Sequence, residues 1–161
     1  MTTETQQQQK LEELIEDMRT AMLTTLKGDQ LRSRPMAKLK YEHGNVLWFF
    51  GSADSEKAHE IEADSHVNVV FSDESHNKYI SISGRGSVIQ DFAKAKELWT
   101  PFAKGWFEGP EDPSLRLIRV DMESAEYWDA PSSKMVYIFN LLRSAMTGKE
   151  VGMGENESVK L

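Results

Sequence analysis

Three cationic side chains occupy alternate positions in the segment LRSRPMAKL, residues 31 to 39. Alternate residues of an extended strand point to the same side of a sheet, so Arg32, Arg34 and Lys38 share a face with Met36. Such a face either stays in water, where its charges discourage edge-to-edge aggregation, or binds an anion. In the second case Arg34 forks onto a phosphate or carboxylate and Lys38 adds a point charge. The pattern alone leaves both interpretations open.

A second candidate anion site lies at the start of a short predicted helix, SEKAHEIEAD, residues 55 to 64. Ser52, Asp54 and Ser55 each suit the capping position, because a side-chain oxygen there can accept a hydrogen bond from a free backbone N–H. The helix dipole favours anions at this end, yet Lys57 places a cation in the first turn. Lys57 is therefore either an ordinary surface lysine or a ligand for an anion at the helix start.

Other patterns for catalysis or metal binding are missing from the sequence. The chain has no cysteine, which excludes disulfides, thiolate catalysis and cysteine-ligated metals. Its four histidines form no metal-spaced pair with carboxylates, so we predict no metal site. Trp128 ends a predicted strand shortly before a proline, where it either caps the core or contacts the edge of a planar cofactor.

The elements that carry these residues are mostly strands. Apolar residues at helical spacing, including Leu11, Ile15 and Met18, predict an amphipathic N-terminal helix. About six strands follow, most of them joined by short turns, with helices in two connections and at both ends. This order predicts a mainly β protein, an antiparallel barrel with peripheral helices, rather than a doubly wound α/β sheet. Pro35 within the second strand predicts an edge or a bulge there.

Two further segments carry local predictions. The glycines of SGRG, residues 83 to 86, predict a bend or bulge within a strand. Helical spacing over residues 132–148 predicts a last helix that stops at Gly148. We assign residues 1–148 to a single domain and residues 149–161 to a loose, polar C-terminal tail.

The composition of the chain excludes some classes of binding partner. The 161 residues suit one domain, and the net charge of −7 argues against a binder of nucleic acid or anionic membranes. The N-terminus lacks the features of a signal peptide, and no apolar run reaches the length of a membrane span. The expectation is a soluble, cytoplasmic protein.

Four segments, taken together, favour anion binding over the alternative interpretations: LRSRPMAKL, LWFFGSADSEKAHEIEAD, YISISGRGSV and AEYWDAP. In this order they resemble the pyridoxamine 5′-phosphate oxidase-like FMN-binding split barrels, and most of all the general stress protein 26-like branch. The resemblance runs from about Leu11 to Thr147. It implies a six-stranded antiparallel split β-barrel with flanking helices, a homodimer, and FMN in the cleft between the two subunits. FAD is the alternative cofactor.

The resemblance also implies which residues bind the flavin. They are Arg34, Pro35, Met36, Lys38, Phe50, Gly51, Ser55, Lys57, Tyr79 and Trp128. Arg34 and Lys57 match phosphate-binding positions, whereas Tyr79 and Trp128 match positions at the flavin ring. By this resemblance Lys57 faces the flavin phosphate.

Two departures from the family pattern bear on flavin affinity. Glu56 stands where the oxidases have a second basic residue. Gly51, which with Phe50 matches the positions beside the ribityl chain, stands where they have a hydroxyl. A carboxylate beside a phosphate repels it unless the carboxylate is turned away, and Lys38 or Arg32 would compensate.

The predicted last helix replaces the segment that grips the pyridoxal substrate in the oxidases, so we do not expect oxidation of pyridoxamine phosphate. Three hypotheses follow. The chain is a flavin-binding general stress protein that acts as a flavin-dependent oxidoreductase. Alternatively, it stores or senses flavin without catalysis, or it is a barrel that has lost its cofactor. The sequence assigns no catalytic acid or base.

Overall fold

The computed structural model describes residues 4–42, 45–129 and 155–161. Within these ranges there are three α-helices and seven β-strands. In chain order they are α1 (Glu4–Glu16), β1 (Thr20–Lys27), β2 (Gln30–Glu42), β3 (Val46–Ser52), α2 (Glu56–Ala63), β4 (His66–Asp73), β5 (Lys78–Ile89), α3 (Phe92–Leu98), β6 (Leu115–Asp129) and β7 (Glu155–Lys160). Short 3₁₀ turns cover Glu74–His76 and Pro101–Gly105.

Six of the strands close into an antiparallel barrel. The sheet order is β3-β2-β1-β4-β5-β6-β7, and an additional pairing of β3 with β6 closes the ring. The strand β7 lies outside this ring and pairs only with β6 among the described strands. The structure therefore confirms the predicted mainly β architecture with flanking helices.

The barrel is split along β2. Residues Gln30 to Ala37 of this strand pair with β1, but the pairing of β2 with β3 begins only at Lys38, opposite Phe49. Pro35 lies in the stretch that has β1 on one side and no second partner strand among the described residues. Proline fits there because its missing N–H has no ladder bond to supply, and the predicted edge position is confirmed.

The core fills the barrel and extends beneath α1. Strand residues alternate between the interior and the outer face, as in β1, where Ala21 and Leu23 are buried and Met22 is 41% exposed. The apolar stripe of α1 packs onto this core through Leu11 and Ile15, which are fully buried. Burying each such side chain contributes about 1.5–3 kcal/mol relative to leaving it in water.

A bulge in β5 confirms the prediction for the SGRG segment. The register of β5 against β6 shifts between Ser83 and Gly84. A Cβ atom on Gly84 would lie 2.3 Å from the backbone oxygen of Asp121, so only glycine allows the two strands this close approach.

The C-terminal segment differs from the prediction of a loose tail. Glu155–Lys160 forms β7, which pairs with Ser124 to Asp129 of β6, and the side chain of Val159 is buried in the core. The sequence signal was weak because β7 consists mostly of polar residues, and Val159 is the buried one among those whose side chains are described. The helix predicted over residues 132–148 lies outside the described residues.

Candidate functional site

A cavity of about 290 Å³ lies between the start of α2 and the half of β2 that pairs with β1 but not with β3. It therefore occupies the split of the barrel, where β2 has separated from β3. Its lining residues are Arg32, Ser33, Arg34, Ser55, Glu56 and Lys57. Both segments that the sequence singled out for anion binding thus contribute to one cavity.

Ser55 fixes the first turn of α2. Its backbone is extended, and its hydroxyl oxygen accepts a hydrogen bond from the N–H of Ala58 at 3.3 Å. The same hydroxyl donates to the carbonyl oxygen of Ser52 at 2.7 Å, which ties the helix start to the end of β3. Of the three candidate caps, Ser52, Asp54 and Ser55, the structure therefore selects Ser55.

Lys57 is a cation of the cavity wall for which the described part of the chain supplies no ion pair. Its side chain is half-buried, and no described residue offers it a carboxylate partner. Burial lowers the pKa of Lys57 below its ordinary value, and the positive charge of Arg34 lowers this pKa further. An anion at this point would relieve both effects, because it would replace lost hydration and offset the neighbouring cation.

Arg34 points into the barrel split and is held by three protein groups. Its Nη1 donates to the hydroxyl of Thr25 at 2.7 Å and to the carbonyl oxygen of Leu23 at 3.3 Å. Its Nη2 donates to Oε2 of Glu60 at 2.9 Å. The solvated-face interpretation of β2 is therefore wrong, since the alternate face of the strand, with Leu31 76% exposed, is the one in water.

Glu60 is a buried carboxylate that the sequence analysis missed. It is 6% exposed and accepts hydrogen bonds from Thr25 at 2.6 Å and from both Arg32 and Arg34. Burial alone would raise the pKa of Glu60, but these three donors outweigh it and lower the pKa below its ordinary value. The available signal was its place beside Ala58 and Ile61 on the buried face of α2, where a charge requires a partner.

Glu56 does not stand unpaired beside the cavity. Its Oε2 lies 2.9 Å from Nη2 of Arg32, and its Oε1 lies 3.7 Å from Nζ of Lys27. Arg32 was one of the two residues predicted to compensate for this carboxylate, and it forms an ion pair with Glu56. Glu56 thus loses much of the repulsion that it would exert on a phosphate.

Lys38, the other candidate for compensation, binds the end of α1 instead of the cavity. Its Nζ donates to the carbonyl oxygens of Ile15 at 2.6 Å and Glu16 at 3.2 Å, at the C-terminal end of α1. A cation suits that end of a helix because the last carbonyls are unpaired there. The structure does not bring Lys38 to the cavity with Arg34 and Lys57.

The remaining predicted residues lie around the barrel at several depths. Met36 is buried in the core and Pro35 is exposed on the outer face of β2. Gly51 is buried at the end of β3, close to the side chain of Lys57. Phe50 is half-buried and packs on Trp99, with a distance of 5.9 Å between the two ring centroids.

Tyr79 and Trp128 are brought together, but not with Arg34. They are cross-strand partners on β5 and β6, and both point outward, with exposed fractions of 39% and 38%. Arg34 shares its register row with the buried Leu23 and Val69, on the inner face of the sheet. Within one chain, the residues predicted at the flavin ring and at the flavin phosphate therefore lie on opposite faces.

The charged groups of the cavity region fit a phosphate. Arg32, Arg34 and Lys57 are cationic, whereas Glu56 and Glu60 supply two carboxylates. Among these cations Lys57 has no carboxylate partner in the described part of the chain, and it stands where the free N–H groups of a helix start also favour an anion. A phosphate monoester carries about −1.5 to −2 charges at neutral pH, so it complements this arrangement.

A closed six-stranded antiparallel barrel, split beside β2 and carrying a cationic cavity in the split, places the chain in the split-barrel class. The family model described as pyridoxamine 5′-phosphate oxidase like matches residues 6–152. The chain therefore belongs to the pyridoxamine 5′-phosphate oxidase-like family, as the motifs predicted. None of the helices in the described ranges has the length and apolarity needed to cross a membrane.

Three relatives show the range of similarity. Protein bli-3 of Neurospora crassa is 29% identical over 164 residues, which cover 92% of this chain and 78% of that protein. The crystal structure of the general stress FMN/FAD binding protein from Xanthomonas citri is 33% identical, with a TM-score of 0.68, covering 78% of this chain and 90% of its own. The general stress protein 26 of Bacillus anthracis is 26% identical, with a TM-score of 0.69 and coverage of 75% and 92%.

Proposed function

We propose that the chain binds a flavin, with the flavin phosphate in the cavity between β2 and α2, and acts as a flavin-binding general stress protein. The observation that carries the proposal is Lys57, a half-buried cation at a helix start with no carboxylate partner among the described residues. A desolvated charge is costly until an opposite charge meets it. The similarity to the Xanthomonas citri protein, whose description names FMN and FAD, supports a flavin as that anion.

FMN is the proposed cofactor, with FAD as the alternative. Arg34 and Lys57 would hold the phosphate, while Phe50 and Gly51 would lie beside the ribityl chain. Ser33, on the cavity wall, is exposed, which leaves room for the AMP portion of FAD to project into solvent. A bound flavin supplies electron-transfer chemistry, and the protein binds and orients it.

We propose further that the protein is a homodimer with the flavin between two subunits. The opposite orientations of Arg34 and Trp128 support this, because a single flavin cannot reach both sets of residues across one sheet. The outer face that carries Tyr79 and Trp128 also exposes Met22, at 41%. Exposed apolar side chains beside polar ones are typical of surfaces that a second subunit covers.

Flavin-dependent oxidoreductase activity is the proposed use of the cofactor, and storage or sensing of flavin is the second candidate. The second candidate is favoured by the predicted ring-contacting residues, Tyr79 and Trp128, which are aromatic and offer no carboxylate or imidazole. Reduction of the bound flavin by a nicotinamide donor distinguishes the two candidate functions. Bleaching of the bound flavin by NADH or NADPH without oxygen would support the oxidoreductase, and a flavin that stays oxidised would favour storage or sensing.

The experiment that tests flavin binding is a titration of the apo-protein with FMN, FAD and riboflavin, followed by flavin fluorescence. Micromolar or tighter binding of FMN, with riboflavin clearly weaker, is expected if the phosphate carries much of the affinity. Riboflavin is the control because it has the same ring and ribityl chain without the phosphate. Absence of binding by both FMN and FAD would contradict the proposal and favour a barrel that has lost its cofactor.

A further inference from the structure

Glu60 stands behind the cavity rather than in its wall. The residues that line the cavity include Arg34 but not Glu60, which is 6% exposed. An anion in the cavity would therefore meet Arg34 on the side of the guanidinium that faces away from the carboxylate. Glu60 is in contact with the anion-binding residue without being available to the anion itself.

The contacts of Glu60 fix the orientation of the guanidinium. Arg34 donates from Nη2 to Oε2 of Glu60 at 2.9 Å and from Nη1 to Oγ1 of Thr25 at 2.7 Å. Thr25, 1% exposed, donates in turn to the same Oε2 at 2.6 Å. The three groups form a closed ring of hydrogen bonds. This ring restrains the side chain of Arg34, which would otherwise be flexible at the strand edge.

The charge of Glu60 has a second consequence for the cavity. Arg34 and Lys57 both line it, and repulsion by the positive charge of Arg34, which lowers the pKa of Lys57, calls for a negative charge nearby. Glu60 supplies that charge from the protein side. The cavity can then hold two cations in place before any ligand arrives, and the ligand does not have to assemble them.

We propose that Glu60 is a positioning residue of the flavin phosphate site, which with Thr25 holds Arg34 in the orientation that receives the phosphate. This inference rests on the proposed flavin binding. The opposite possibility is that Glu60 competes with the phosphate for Arg34, in which case removal of its charge would tighten binding. The two possibilities predict changes of opposite sign.

The test measures the affinities of Glu60→Ala, Glu60→Gln and Thr25→Val for FMN and for riboflavin. Because Thr25 and Arg34 both donate to Oε2, a glutamine whose carbonyl oxygen replaces Oε2 keeps both hydrogen bonds, whereas its amide nitrogen replaces Oε1 and loses the hydrogen bond from Arg32 at 3.4 Å. We expect Glu60→Ala to lower the ratio of FMN affinity to riboflavin affinity about tenfold, since a charge-assisted hydrogen bond is lost. Glu60→Gln keeps these two hydrogen bonds but loses the charge, so its ratio should lie between those of the wild type and Glu60→Ala, and Thr25→Val should lower the ratio as well.

Glu62→Ala is the matched control. It removes the same charge from the same helix, but Glu62 is exposed and no described residue forms an ion pair or hydrogen bond with it. Its affinity ratio should match the wild type. A merely structural role of Glu60 would weaken FMN and riboflavin equally and leave the ratio unchanged.

The results of these titrations distinguish failure of the positioning role from failure of flavin binding. Tighter FMN binding by Glu60→Ala and Glu60→Gln, or an unchanged ratio in Glu60→Ala, would overturn the positioning role while leaving flavin binding intact. If Glu60→Ala does not fold, an unchanged ratio in Thr25→Val would overturn it instead. Failure of the wild-type protein to bind either FMN or FAD would overturn the proposed function itself.

Discussion

Gly51 leaves the space in which the side chain of Lys57 lies. A Cβ atom on Gly51 would be 3.3 Å from Cε of Lys57 and 2.9 Å from Cδ1 of Ile118. The stem of Lys57 therefore packs on the backbone of β3, and the ammonium is directed by that contact. The glycine that departs from the family pattern has a structural role in the cavity.

Gly51→Ala is expected to displace Lys57 and to crowd Ile118. Overpacking of this kind costs about 1–3 kcal/mol, which for a chain of this size lowers Tm by about 2–4 °C per kcal/mol. FMN affinity should fall more than riboflavin affinity, because the phosphate loses its ammonium. Gly109→Ala is the control, since a Cβ there meets no atom within 4 Å. Equal losses for both flavins would show that Gly51 does not act through Lys57.

Removal of either cavity cation should weaken binding of the phosphate. Lys57→Ala and Arg34→Ala are each expected to lower FMN affinity about tenfold to a hundredfold, the effect of losing a charge-assisted hydrogen bond of roughly 1.5–3 kcal/mol. Riboflavin affinity should change little. Fluorescence titration measures both quantities.

Lys96→Ala is the control for these two variants, because Lys96 is an exposed lysine of α3 outside the cavity. The Arg34 variant also leaves Glu60 without its closest cation, so its Tm should fall further than that of the Lys57 variant. Unchanged FMN affinity in both Lys57→Ala and Arg34→Ala would remove the assignment of the phosphate site.

The pH dependence of binding should report the proton on Lys57. Burial and Arg34 lower the pKa of Lys57, so the ligand-free protein loses this proton below the ordinary value of 10.5. FMN affinity should therefore decline as pH rises through a range that lies below 10.5. Lys57→Arg, which stays protonated over this range, should show no such decline. Parallel decline in the wild type and in Lys57→Arg would contradict the role of Lys57.

The lowered pKa of Lys57 also affects the stability of the fold. The effect of pH has the opposite sign from that of an ion-paired lysine, whose pKa is raised. The unfolded chain holds the lysine proton up to the ordinary pKa, whereas the folded chain releases it earlier. The free energy of unfolding of the apo-protein should thus rise with pH between the two pKa values. Bound FMN should remove this rise, because its phosphate favours the charged lysine.

Much of this fold could be predicted from local patterns. Alternation in β2 correctly placed Arg34 and Met36 on one face, and Pro35 correctly indicated a strand edge. These signals depend on backbone geometry that the nearby sequence determines. The start of α2 near Ser55 was predicted in the same way, although the local sequence offered Ser52 and Asp54 as caps as well.

What the sequence could not supply were the partners of each charge. Lys38 and Arg34 share a strand face, but only the tertiary fold places the end of α1 near one and Glu60 near the other. Glu60 is separated from Arg34 by 26 positions, so no local spacing links them. Similarly, β7 became a strand only because the edge of β6 was available to pair with it.

The separation of Tyr79 and Trp128 from Arg34 sets the strictest test of the proposed dimer. These aromatic residues face outward on β5 and β6, whereas Arg34 faces inward on β2. If one flavin contacts both sets, its phosphate and its ring must be held by different subunits. Sedimentation should then show a dimer, and the two halves of the site should be separable by mutation.

Mixing two defective variants should restore binding. Each site in a Lys57→Ala dimer lacks the ammonium, and each site in a Trp128→Ala dimer lacks the indole ring. A mixed dimer has one site that lacks both and one that is intact, so random exchange of subunits should restore about a quarter of the sites to wild-type affinity. FMN titration of the two variants before and after subunit exchange measures this fraction. No recovery in dimers shown by mass spectrometry to have exchanged subunits would place Lys57 and Trp128 in the same subunit's site or Trp128 outside it.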